Sequence, residues 1–225
     1  MKKINSKLVL SILFILGISI SAFAGKKTIV VSCSESDAAI YSNGIKLGTG
    51  QAEVLVLGNA CVTLKIVKVG FLTIEETICN KKGFPKPPKT KFYQLQPDPT
   101  FNASVETDMA NTDFEVELNK DRSEVDSWKI LNQIVTGYFD NIEISDRETG
   151  YLRTAWNIET FPNAVVRTRL IIKLGNLDPL SYKVKLASEI AKANTSIKND
   201  YSFTKWNRVL RNYEDVIDQI TSRLK

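Results

Sequence analysis

Apolar residues recur at every second position through most of this chain. Val62, Leu64 and Ile66 do so in one run, Leu170, Ile172 and Leu174 in a second, Tyr182, Val184 and Leu186 in a third. A period of two puts alternate side chains on one face, the signature of strands with one buried side. The runs between residues 25 and 97 are short and punctuated by Gly and Asn: "KTIVVSC", "AAIYS", "QAEVLVLG", "ACVTLKIVKVG", "FLTIEETIC" and "KFYQLQP". That punctuation predicts a small antiparallel all-β domain. The glycine-rich stretch "AIYSNGIKLGTG" (39–50) fits the same reading. Asn43-Gly44 between alternating runs is a type I′ hairpin signal. A phosphate-cradling loop needs a helix after its glycines; no helical period follows Gly50, and neither GxGxxG nor GxxxxGK occurs.

The first 24 residues read as a cleaved leader. Lys2, Lys3 and Lys7 precede the apolar run "LVLSILFILGISI", and Ala22 and Ala24 occupy the small-residue positions before Gly25. This is a secretory signal peptide cut after Ala24, and its apolar run is shorter than the roughly 20 residues of a membrane span. The expected location is therefore the periplasm or cell surface of a bacterium, with no transmembrane segment after cleavage. Without the three leader lysines, 27 basic residues face 25 acidic ones. That balance argues against nucleic-acid binding, which requires a concentrated basic footprint. The sequence contains no histidine. Ser-His-Asp and Cys-His catalysis and His-containing zinc sites are thereby excluded.

Three cysteines remain, Cys33, Cys61 and Cys79. If the "VKVGFL" turn centres on Val69-Gly70-Phe71, Val67 opposes Thr73 and Cys61 falls opposite Cys79. Cross-strand neighbours can be bridged, so a Cys61–Cys79 disulfide is predicted, with Cys33 left over. The alternative is three buried thiols. "NKKGFPKPPKTK" (80–91) is too rich in proline for a helix or central strand, and residues 98–110 read as the linker between domains.

Residues 111–225 suggest an α+β domain in the order β-α-β-β-β-β-α, an antiparallel sheet with helices on one face. "DFEVELN" alternates. "SEVDSWKILNQIVTGYFD" has a capping box in Ser123 and Asp126 and an apolar stripe of Val125, Trp128, Leu131, Val135 and Tyr138. Strands "NIEISD", "YLRTAWNI", "AVVRTRLIIKLG" and "YKVKLASEIA" follow. Helical spacing from Trp206 to Leu224 predicts a closing helix over 203–225. Leu152, Thr154, Trp156 and Ile158 share the parity expected to face the helices. The opposite parity carries Arg153, Arg167, Arg169, Lys173, Lys183 and Lys185, with Glu189 as the acid. Two readings of that basic face stand: a solvated surface neutralised by cross-strand partners, or a docking face for an anionic ligand or acidic protein.

Two resemblances accompany these patterns. "VVSCSESDAAIYSNGIKLGTG" and "LGNACVTLKIVKVGF" resemble a PEGA domain. Ala39, Tyr41, Asn43, Gly44, Gly48, Lys68, Gly70 and Phe71 match, although "GTGQAE" stands where that family carries a proline. The resemblance implies a small β-fold of exported or envelope proteins with no catalytic residues. "SWKILNQIVTGYFDNIEISDRETGYLRTAW" is similar to domains of BamC-type envelope lipoproteins through Trp128, Leu131, Asp146, Gly150, Thr154 and Trp156. It implies a helix-grip-like scaffold for protein contacts; the lipid-attachment cysteine of that family is missing.

Candidate chemistry is sparse. Asp146, Glu148, Glu143 and Glu159 are the acids near a turn, and they read as turn chemistry rather than a glycosidase pair. Trp156 could stack on a sugar but reads as core. Asp98, Asp108 and Asp113 lack calcium-loop spacing. The expectation is a non-catalytic, exported envelope protein that needs no cofactor or metal and contacts another envelope protein. The alternative is a carbohydrate- or cell-wall-binding module with a saccharide ligand, and a hydrolase using only Asp and Glu is third.

Overall fold

The computed structural model describes residues 25–225, so the leader assigned to residues 1–24 lies outside it. Two units divide the chain: one runs to Val69 and resumes over Thr73–Leu95, the other holds Gly70–Leu72 and Gln96–Lys225.

The first unit has seven strands, β1 (Lys27–Cys33), β2 (Ala39–Ser42), β3 (Ile45–Thr49), β4 (Gln51–Val56), β5 (Cys61–Val67), β6 (Ile74–Cys79) and β7 (Thr90–Tyr93). They form two sheets, β4-β1-β7 and β3-β2-β5-β6. Ile29, Val31, Ile40, Val54, Val56, Leu64 and Ile66 make the buried face that the alternation predicts. Asn43 and Gly44 both have positive φ, 49° and 82°, as a type I′ hairpin requires. Gly50 is obligatory for a second reason: at φ +67° an added Cβ would stand 2.5 Å from the Ser36 carbonyl oxygen. One pairing departs from the antiparallel expectation, since β7 runs parallel to β1. The chain between β6 and β7 is long enough to return β7 in the same direction, which a tight hairpin cannot do. Cys61 lies opposite Cys79 on β5 and β6, their Cα atoms 4.0 Å apart, and the two form the disulfide. Cys33 is free, its thiol donating to the Glu35 carbonyl at 3.2 Å.

In the second unit, residues 98–110 are not a linker. Asp98 caps α1 (Pro99–Asn102), accepting from the amides of Thr100 and Phe101. β8 (Ser104–Glu106) follows and pairs with β16 (Arg208–Leu210). The polar composition of this stretch reflects capping and buried hydrogen bonds: Thr100 and Ser104 are buried, and Ser104 Oγ donates to the Thr100 carbonyl. β9 (Asp113–Glu117) and α2 (Glu124–Tyr138) come next. Ser123 Oγ accepts from the Asp126 amide at α2's N-terminus, the cap its sequence predicts. The stripe that α2 buries is Trp128, Leu131, Ile134 and Val135, whereas Val125 is exposed.

The main sheet holds β10 (Ile142–Asp146), β11 (Tyr151–Thr154), β12 (Asn157–Thr160), β13 (Ala164–Leu177), β14 (Leu180–Lys192) and β15 (Thr204–Lys205), with β9 pairing β14. One face of this sheet packs against α2 and α3 (Val216–Leu224) in a continuous core that includes Leu131, Leu170, Tyr182, Val184, Ile217 and Ile220. That agrees with the α+β expectation of helices on one face. The closing helix is shorter than its periodicity suggests. Residues 204–210 are instead spent on β15 and β16, a 3-10 turn spans Arg211–Tyr213, and α3 begins at Val216. Val209, Leu210 and Tyr213 are buried either way, so their spacing fits a strand-plus-turn as well as a helix. Arg208 favours the strand: it donates to Ser104 Oγ and to the carbonyls of Phe101 and Ser104, and stacks on the Phe101 ring.

Candidate cationic docking face

The outer face of the main sheet, away from α2 and α3, holds all six basic residues that parity assigns to it. It also holds two residues expected on the other side. "YLRTAWNI" is not one strand. Leu152 pairs with Ile172 but Asn157 with Thr168, so five residues on one side span four on the other. This one-residue bulge between β11 and β12 reverses the parity. Asn157 now turns inward and donates from Nδ2 to the Tyr213 hydroxyl. Trp156 and Ile158 turn outward, so Trp156 is not part of the helix-facing core. Nothing in the sequence marks the bulge, since "TAWN" continues the alternation.

Trp156 organises the arginines. The Arg167 guanidinium lies 4.4 Å from the Trp156 ring centroid and 4.0 Å from that of Phe203. Arg169 sits over the same tryptophan at 4.1 Å. Arg167 is 5% exposed and paired with Glu189 at 2.6 Å and Asp200 at 2.5 Å. Phe203, Val165 and Ala191 form a small apolar cluster beside it, with Ile158 packed against it. Arg167 therefore closes one end of the face as a structural member, and periodicity that placed Phe203 in a helix hid its role.

The other basic residues divide. Arg153 donates from Nε to Glu143 at 3.1 Å, which holds its pKa above the ordinary value. Lys185 pairs with Asp113 at 3.0 Å. Arg169, Lys173 and Lys183 are in no ion pair among the described residues. Arg169 Nε is buried with no hydrogen-bond partner. Burial, and then the charges of Arg153 and Arg167, pull the Arg169 pKa below its ordinary value. Lys173 and Lys183 are exposed and stand directly opposite each other on β13 and β14. Like charges in register destabilise a sheet, and the face accepts that at this pair. On the other side of β14, Glu115 is in register with Lys183 but accepts a hydrogen bond from Ser181 Oγ at 2.7 Å.

The candidate acids are not assembled into a site. Asp146 accepts from the amides of Glu148 and Thr149 and from the Thr149 hydroxyl, which keeps its carboxyl below the usual range. Glu143 serves Arg153, Asp98 serves α1, and Asp113 serves Lys185. Among the described residues, no group of three or more His, Cys, Asp or Glu side chains is placed to hold a metal ion.

No family model and no curated protein matches the chain.

Proposed function

We propose that this is a non-catalytic, exported envelope protein acting through contact, and that the open end of the sheet's outer face docks an acidic segment of a partner protein. The observation that carries the reading is the Lys173–Lys183 pair. Two exposed ammonium groups face each other across adjacent strands and neither is in an ion pair among the described residues, Glu115 beside Lys183 being engaged by Ser181; the half-covered, incompletely bonded Arg169 lies on the same face. A sheet that has supplied paired acids to Arg153, Arg167 and Lys185 leaves this group in no ion pair among the described residues, and a partner's carboxylates would relieve the repulsion. The PEGA-like pattern of the first unit and the helix-grip-like order of the second are compatible with an envelope scaffold, as is the Cys61–Cys79 disulfide, which persists in oxidising compartments.

The test is fluorescence anisotropy of the chain from Gly25 to Lys225 with a fluorescein-labelled hexaglutamate peptide at low salt. Saturable binding is expected, weakened at least about tenfold by Lys173→Glu with Lys183→Glu. Binding unaffected by the double substitution would remove the face from consideration. Reproducible saccharide binding on a glycan array, with no peptide binding, would favour the carbohydrate reading instead.

A further inference from the structure

From Thr77 to Pro97 the chain carries five lysines and no acidic residue. Lys91, on β7, is paired with Glu76. The other four, Lys81, Lys82, Lys86 and Lys89, are all exposed on the segment between β6 and β7, and none is in an ion pair among the described residues. Lys26 and Lys27, at the start of β1, are exposed and likewise in no ion pair among the described residues. The segment has a fixed base. The disulfide closes at Cys79, the Asn80 amide donates to the Ala60 carbonyl, and the Val30 amide donates to the Lys89 carbonyl. Its tip is a turn closed from the Phe84 amide to the Lys81 carbonyl, and Gly83 adopts φ +88°. This turn presents Phe84, half exposed, with Lys81 Nζ 4.7 Å from its ring centroid. A depression of about 480 Å³ lies beside it, lined by Gly25, Asn59, Asn80, Lys81, Lys82 and Phe84 among others.

Gly25 gives this end its direction. Asn80 Nδ2 donates to the Gly25 carbonyl at 2.8 Å. The chain therefore enters the first unit at the base of the lysine segment, and the sequence just before that point is the apolar run from Leu8 to Ile20. We propose that this end, with Lys81, Lys82, Lys86 and Lys89 around Phe84, binds the surface of an anionic phospholipid membrane. The lysines lie against the headgroup phosphates, and Phe84 inserts at the headgroup boundary. Unpaired lysines next to such a surface each add roughly a fivefold increase in partitioning at physiological salt, and an aromatic ring at the interface adds to it. Prolines 85, 87 and 88 hold the segment extended, so that little order is lost on binding.

The test is co-sedimentation of the chain from Gly25 to Lys225, which contains every described element, with vesicles. Two compositions are compared: phosphatidylcholine alone, and phosphatidylcholine with about a third phosphatidylglycerol. Binding is expected only to the anionic vesicles, falling as salt is raised. Substituting Ser for Lys81, Lys82, Lys86 and Lys89 together should weaken it at least about 50-fold, and Phe84→Ala roughly fivefold. All five positions are exposed, and circular dichroism with a thiol assay of the Cys61–Cys79 bond verifies that each variant is folded. Lys173→Glu with Lys183→Glu should leave vesicle binding unchanged, which separates this surface from the sheet face. Equal binding to both vesicle types, or an unchanged quadruple variant, overturns the proposal. So does an unchanged Phe84→Ala, because the segment would then be a site for soluble anions rather than for a bilayer.

Discussion

The two cationic surfaces of this protein are built in opposite ways. On the sheet of the second unit, neighbours far apart in sequence supply carboxylates: Glu143 to Arg153, Glu189 and Asp200 to Arg167, Asp113 to Lys185. Half of the basic residues there are consumed by the fold, and three residues are left over. In the first unit, the chain supplies no acid from Thr77 to Pro97, and of the five lysines there only Lys91, on β7, is in an ion pair among the described residues. The comparison separates cations that hold the structure from cations in no ion pair among the described residues. A single face can contain both kinds, as Arg167 and Lys173 show three pleat repeats apart on β13.

The largest effect expected from testing this comparison lies at the base of the lysine segment. Cys61→Ser with Cys79→Ser opens a loop of 18-residue separation, and the first unit should lose about 3 kcal/mol. The three tryptophans all lie in the second unit, at 128, 156 and 206, so tryptophan fluorescence serves as the internal reference in the same urea titration. Its midpoint should hold while far-ultraviolet circular dichroism reports the loss.

Next comes the structural arginine. Arg167→Ala strips the stack on Trp156 and Phe203 and leaves Glu189 half-buried without its cation. A cost of about 2 kcal/mol is expected by chemical denaturation, discounted because Asp200 is largely solvated. The four serines in the lysine segment should change stability by no more than about 0.5 kcal/mol in the same assay.

A smaller effect concerns Lys91, the paired lysine on β7 next to that segment. Burial works against ionisation of Glu76, but hydrogen bonds from Lys91 and Tyr93 hold its carboxyl below the ordinary value of 4.5. Its contribution is therefore complete above pH 4.5 and lost as the pH falls through the lower folded-state value. Since the pair is about one-third exposed, that contribution is about 0.5–1 kcal/mol. Glu76→Gln should flatten the acid limb of the first unit's stability profile by that amount.

The smallest change is the most diagnostic in sign. Lys173→Glu turns a like-charge register pair with Lys183 into an attractive one, and should stabilise the protein by roughly 0.2–1 kcal/mol. A gain in stability with a loss of peptide binding would mark Lys173 as a residue kept for contact.

Much of this was legible in the residues themselves. Period-two parity places Arg153, Arg167, Arg169, Lys173, Lys183 and Lys185 on one face, and turn counting around Gly70 pairs Cys61 with Cys79. What parity could not carry was a discontinuity. The bulge at Ala155–Trp156 leaves the alternation intact while reversing which side it buries, so Trp156 moves from expected core to the arginine stack. The other failures share one cause, that local spacing underdetermines long-range pairing. Val209, Leu210 and Tyr213 suit a helix, yet β8 needs β16 as its partner. Residues 98–110 are polar because they cap and hydrogen-bond, not because they are unstructured. The acids that neutralise half of the basic face come from β9, β10, β14 and the 200s turn, and no local pattern couples them to it.

The most direct measurement of the docking claim is in-cell photo-crosslinking from Lys173, with Lys120 as an exposed control in the same unit. Lys173 is preferred to Arg169, whose guanidinium is held against Trp156. One dominant adduct from position 173, identified by mass spectrometry and missing at 120, is the predicted result. The same adducts at both positions, or none at 173 in cells where the protein is folded and exported, would contradict the claim that this face docks a partner.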